Sequence, residues 1–123
     1  EDTNPSEFQI QSVHSDCIRI NNTDYRSSII ISPDTIQNWA PISVEALTTI
    51  DLSALITLNP EIILIGTGET QTFPPHALLD TIYQQKIGVE IMTTPAACRT
   101  YTILSAEGRH VVAGLMLNTE QRQ

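Results

Sequence analysis

Apolar and polar residues alternate along the first third of this chain, whereas its later apolar residues gather in unbroken blocks. Phe8, Ile10 and Ser12 alternate with Gln9 and Gln11, and the run Cys17-Ile18-Arg19-Ile20 alternates again. A period of two marks a strand with one face buried. Asn21-Asn22-Thr23 then supplies turn chemistry, because asparagine tolerates left-handed backbone and bonds to its own neighbours. Residues 25–31, ending in three isoleucines, predict a further strand. The first 32 residues are thus β-rich hairpin material, which Pro33 interrupts. Trp39-Ala40-Pro41 begins another extended piece carrying Ile42, Val44 and Leu47.

The period changes at Thr49, which is placed as the N-cap of a short helix with Asp51 in its first turn. Leu52, Leu55 and Ile56 share one face, and Asn59-Pro60 stops the helix because a residue before proline avoids helical backbone. Residues 62–65 are apolar without alternation, the pattern of a strand covered on both faces. Pro75 is expected to open a second helix with Leu78, Leu79, Ile82 and Tyr83 as its buried stripe. Gly88, just past Lys86, is its stop signal. Residues 89–92 form the next strand, so strand, helix and strand predict a right-handed parallel crossover. Thr94 as N-cap and Pro95 as first residue open a third helix. Ala97, Thr100, Tyr101 and Leu104 gather on one side of it, with Arg99 and Ala106 opposite. Gly108 ends that helix, and residues 111–116 are the last strand. The expected organisation is a flexible segment over 1–7, one α/β domain over 8–117 and a polar tail over 118–123.

A chain of 123 residues suits one domain. No stretch approaches ~20 consecutive apolar residues, so direct membrane insertion by a helix is not expected. No basic run followed by an apolar run opens the sequence, so no secretory leader is expected. The net charge is −8. Residues 27–85 contain no Lys or Arg, yet they carry Asp34, Glu45, Asp51, Glu61, Glu69 and Asp80. Such a surface repels phosphate backbones, so nucleic acid is not an expected partner. The plain alternative is that the charge keeps the protein in solution. Cys17 and Cys98 are read as reduced thiols, which together with the charge suggests a cytoplasmic location.

Candidate chemistry centres on the turn Gly66-Thr67-Gly68 at the end of the 62–65 strand. A dinucleotide fingerprint needs a third glycine, and that position is Gln71. A phosphate-binding loop needs Gly-Lys-Ser/Thr, and no lysine lies in the region. Glu69 would repel phosphate. The glycines are therefore expected to serve a positive φ and a close backbone approach. Ligands of α/β proteins do gather at the carboxyl ends of strands, so Gly66, Thr67, Gly68, Thr93 and Cys98 make up a candidate ligand crevice. Cys98, near a helix N-terminus and beside Arg99, has two readings: an activated thiol, or a small side chain packed between helix and sheet. His14, His76 and His110 have no metal-like spacing, so no metal and no cofactor is expected. Paired carboxylates and a serine elbow are not visible, which inclines the reading away from an enzyme. Arg99 and Ile103 point away from the buried stripe of the third helix and form a candidate protein interface.

One combination of residues is specific in order and spacing. Pro60-Glu61 precedes the 62–68 strand and turn. Phe73-Pro74-Pro75, Gly88-Val89-Glu90-Ile91-Met92 and Ala96-Ala97-Cys98-Arg99-Thr100-Tyr101 then follow. In this the chain resembles the family of mitochondrial respiratory complex I assembly factor 3 and its bacterial and archaeal relatives of unknown function. The resemblance is clear over residues 60–116 and looser before them. It implies a single three-layer α/β domain: a mixed sheet of about five strands, flanking helices and a small extra N-terminal β-element. It also implies a protein-binding, assembly-factor-like role with another protein as partner; a second copy of the chain is one candidate. The alternative is a small-molecule binder or enzyme with its crevice near Thr67 and Cys98. Thr93 and Thr102 depart from the family's usual aspartate and asparagine, which weakens any polar site built on those residues.

Overall fold

The computed structural model describes residues 8–117. The flexible segment expected over 1–7 and the polar tail expected over 118–123 lie outside the described residues. The chain opens with β1 (Ile10–His14), β2 (Cys17–Ile20) and β3 (Thr23–Tyr25), which pair antiparallel in that order. Ile20 pairs with Thr23, so Asn21 and Asn22 are the two turn residues, at φ 50° and 68°. Two consecutive left-handed residues match the natural twist of a tight hairpin, and asparagine accepts that backbone more readily than most side chains. The Asn21 side chain also accepts the Gln9 backbone N–H at 2.8 Å, tying the turn to the approach of β1.

The strand expected over residues 25–31 divides. β3 ends at Tyr25, and β4 (Ile29–Ile31) belongs to the second sheet. Pro33 sits inside a hairpin: the Ser32 hydroxyl accepts from the N–H groups of Asp34 and Thr35, and β5 (Ile36–Asn38) returns antiparallel to β4. Sequence patterning missed β5, which is three residues long with two of them exposed.

The second sheet adds β6 (Ile62–Gly66), β7 (Gly88–Met92) and β8 (Val111–Leu115) in the order β5-β4-β8-β6-β7. β8, β6 and β7 run parallel, and β4 joins β8 antiparallel. Alternate residues of the central strands face opposite ways. Ile29, Ile31, Leu64, Val111, Ala113 and Leu115 pack toward α3 (Thr94–Ala106) and toward Ile18 and Ile20 of β2. Ile30, Ile63, Ile65 and Val112 pack toward Trp39, α1 (Thr49–Ile56) and α2 (His76–Tyr83). Cover on both faces explains the unbroken apolar blocks of β6 and β8.

Six local assignments shift. Thr48, not Thr49, caps α1: its hydroxyl accepts from Asp51 N–H while the Asp51 carboxylate accepts from Thr48 N–H, a reciprocal capping box. Thr93, not Thr94, caps α3. Pro75 precedes α2 rather than opening it, and Gly88 begins β7 while Lys86 takes the positive φ of 61°. Tyr83 is 47% exposed and lies outside the α2 stripe, whose buried members are Leu79 and Ile82. On α3 the buried set is Thr94, Ala97, Cys98, Tyr101 and Ser105, rotated toward Cys98 from the expected stripe.

Candidate functional site

The carboxyl ends of β6 and β8 are sewn together at Gly66. Its carbonyl accepts from Met116 N–H at 2.9 Å. A side chain there has no room, because a Cβ would stand 2.8 Å from Thr94 Cα and 2.9 Å from Thr94 Oγ1. Thr94 is 2% exposed. Its hydroxyl donates to the Met116 carbonyl at 2.7 Å and accepts from Gly68 N–H at 2.8 Å. Its own N–H donates to the Gly68 carbonyl at 2.8 Å. Gly68 has φ 93° with open space around it. The two glycines therefore answer different needs, close approach at 66 and left-handed backbone at 68.

Thr67 is similarly committed. Its N–H donates to the Met92 carbonyl at 2.8 Å. Its hydroxyl donates toward the carbonyls of Thr70 (2.7 Å) and Met92 (3.3 Å) and accepts from Thr72 N–H at 3.2 Å. Gln71 holds the loop from outside by donating to the Ile91 carbonyl at 2.9 Å. The first turn of α3 has no spare donor. Thr94 N–H is bound to Gly68, Pro95 has none, Ala96 N–H goes to the Thr93 hydroxyl and Ala97 N–H to the Thr93 carbonyl. An anion at this helix end would find its partners already taken.

Beyond this clamp lies a cavity of about 550 Å³. Three separate stretches wall it: residues 13–15 of the β1–β2 hairpin, residues 42–45 and the 67–72 loop, with Thr94, Pro95, Met116 and Leu117 behind. Of the residues expected in a crevice, Thr67 and Gly68 line it. Gly66, Thr93 and Cys98 do not. Cys98 borders a shallower depression beneath β1 with Arg99 and Thr102. It is 2% exposed. Burial pushes its thiol up to about 12, with Arg99 pulling weakly the other way. A thiol so held stays protonated at neutral pH, which is the condition of a packing residue rather than a nucleophile.

The histidines stay apart. His76 Nδ1 is 3.5 Å from Asp80, and His110 Nδ1 is 2.9 Å from the Asn59 carbonyl. Among the described residues no three His, Cys, Asp or Glu side chains are grouped to hold a metal ion. On the outer face of α3, Ile103 is 60% exposed and Arg99 is exposed beside it, one helical turn away. Arg99 has no carboxylate partner among the described residues.

The fold and this site define a class: a mixed-sheet α/β domain with an N-terminal β-ribbon and a crevice in which Thr67, Thr72 and Thr94 are bonded within the fold. Residues 10–116 match the family described as "Protein of unknown function (DUF498/DUF598)", and the chain belongs to it. It is 32% identical over 94 residues to the "13 kDa major membrane protein" of Francisella tularensis subsp. holarctica, covering 75% of this chain and 76% of that one. It is 31% identical over 115 residues to the NADH dehydrogenase (ubiquinone) 1 alpha subcomplex assembly factor 3 of Bos taurus, covering 91% of this chain and 62% of that one. This chain thus spans about three-fifths of the assembly factor's length. An NMR structure of a Xanthomonas campestris protein superposes with a TM-score of 0.86 at 31% identity, covering 99% of this chain and 94% of that one. The family resemblance read from sequence is therefore borne out, as are the mixed five-stranded sheet and the extra β-element. Among the described residues no helix is long and apolar enough to cross a membrane. The Francisella relative nevertheless bears a membrane protein's name, so a cytoplasmic location stays a proposal.

Proposed function

We propose that this protein works by binding another protein, in the manner of an assembly factor, rather than by catalysing a reaction. The observation that carries this reading is the outer face of α3, where Ile103 is 60% exposed beside an arginine with no carboxylate partner among the described residues. Covering an exposed isoleucine stabilises an association by up to about 1.5–3 kcal/mol. Arginine is enriched at interfaces because its planar guanidinium stacks and donates several hydrogen bonds. Two further facts support the reading. The Bos taurus relative is named as an assembly factor, and burial of Cys98 removes the thiol that sequence offered as a nucleophile.

The test is the double substitution Arg99→Glu with Ile103→Ser. Both side chains face solvent, so the melting temperature should hold while capture of a protein partner from native extract is lost. Native mass spectrometry of the captured material separates a second copy of this chain from a different protein. Undiminished capture by the variant would remove this face from the reading.

A further inference from the structure

We propose that the cavity at the carboxyl ends of β6 and β8 receives an organic cation: an ammonium or guanidinium group carried on an apolar stem. The inference is independent of the α3 face, and it rests on what the cavity walls offer and what they have already used. Two carboxylates stand at the walls, Glu45 from the turn Val44–Ala46 and Glu69 from the β6–α2 loop. Both are exposed, and neither forms an ion pair among the described residues. Among the described residues no lysine or arginine lines the cavity, and residues 27–85 contain none. Among those residues His14 is the one basic side chain on the lining.

Thr67, Gly68, Thr72 and Thr94 spend donors of this wall within the fold. The hydroxyl hydrogens of Thr67, Thr72 and Thr94 go to backbone carbonyls. The N–H groups of Gly68 and Thr72 go to threonine hydroxyls. An anionic ligand would meet two carboxylates there and no lysine or arginine among the described residues, whereas a cation brings its own donors to those acceptors. Val13, Ile42 and Pro95, each partly exposed, give an apolar surface on which an alkyl stem can lie. The size, about 550 Å³, falls within the usual range of small-ligand sites. The location, outside the carboxyl ends of parallel strands where β6 and β7 send their helices to opposite faces, is where open α/β sheets bind ligands. The same chemistry is carried by a free alkylamine and by a lysine or arginine side chain of a partner.

The experiment titrates the whole chain, followed by amide NMR, with hexylammonium and its isosteres hexanol and hexanoate. Hexylammonium should saturate amides of residues 67–72 and of Thr94, about tenfold more tightly than hexanol, with hexanoate not saturating. Added salt at about 0.5 M should erase most of that preference. In the Glu45→Gln/Glu69→Gln variant, ammonium and alcohol should bind alike while the melting temperature holds. A short capped Leu-Lys-Leu peptide, compared with its norleucine counterpart, identifies the source. Tighter binding of the lysine peptide than of hexylammonium points to a partner's side chain, and the reverse order points to a free amine. Equal binding of ammonium and alcohol to the unmodified protein, or an ammonium preference untouched in the double variant, overturns the proposal.

Discussion

Thr94 Oγ1 lies 2.9 Å from where a side chain at Gly66 would begin, and the same oxygen joins Gly68 to Met116. One hydroxyl therefore holds the β6 turn, the start of α3 and the exit from β8. Gly66→Ala would drive a methyl against the Thr94 backbone, at a cost of about 2–3 kcal/mol. Gly68→Ala meets no neighbour and bears only left-handed strain, about 1 kcal/mol after the entropy gained in the unfolded chain. Urea melts should rank the losses Gly66 above Gly68. Thr94→Val should resemble the former, since it strands the Met116 carbonyl and the Gly68 N–H at about 1–3 kcal/mol. Equal midpoints for all three variants would contradict the clamp.

Trp39 packs so closely on β8 that a Cβ at Gly114 would stand 2.6 Å from two of its ring carbons. Its indole N–H donates to the Asp51 carbonyl at 3.2 Å, so the ring bridges the sheet and α1. Gly114→Ala should displace the ring, lower stability by about 2 kcal/mol and shift the emission of this single tryptophan to the red. An unshifted spectrum with unchanged stability would mean the ring is not held there.

Stability should fall in alkali through two groups on α3. Burial raises the Cys98 thiol from 9.0 to about 12. Burial, reinforced by Asp34, raises the Tyr101 phenol from 10.0 to about 12 against a hydrogen bond with Ser105. Both raised values mean that the unfolded chain loses its protons first. Their contribution is complete below about pH 9 and is lost as pH climbs toward 12. Denaturant melts of Cys98→Ala/Tyr101→Phe should show a flatter decline across that window than the unmodified protein. Thiol labelling of Cys98 at neutral pH should follow unfolding; rapid labelling of the folded state would revive the activated reading.

ATP, GTP and NAD should leave the melting temperature unchanged at millimolar level. The α3 N-terminus has bonded its own donors, and no lysine lies near the glycine turn. A reproducible rise of several degrees with any of them would defeat this expectation.

Much of the fold was legible because periodicity is local information. The unbroken run of β6, the helix patterns around Leu52 and Ala97 and the Asn21-Asn22 turn each follow from neighbours in sequence. The different needs of the two glycines were half legible: the expected positive φ falls on Gly68, and the close backbone approach on Gly66. End residues were less certain, since Thr48 and Thr49, like Thr93 and Thr94, have the same capping chemistry, and only packing fixes which one turns.

The sequence by itself determined which residues seek burial and where the backbone must bend. Only the tertiary structure decided what they are buried against. Residues 25–31 read as one strand, yet they serve two sheets, because a β-branched run does not say which edge it joins. β8 comes last in the chain but sits between β4 and β6, since strand order is set by pairing between distant segments. Cys98 could be polarised or packed by its helix position; the sheet beneath α3 made it packed. The cavity is the plainest case. Its walls come from residues 13–15, 42–45 and 67–72, and no pattern within any one of them reveals the space that their folding together encloses.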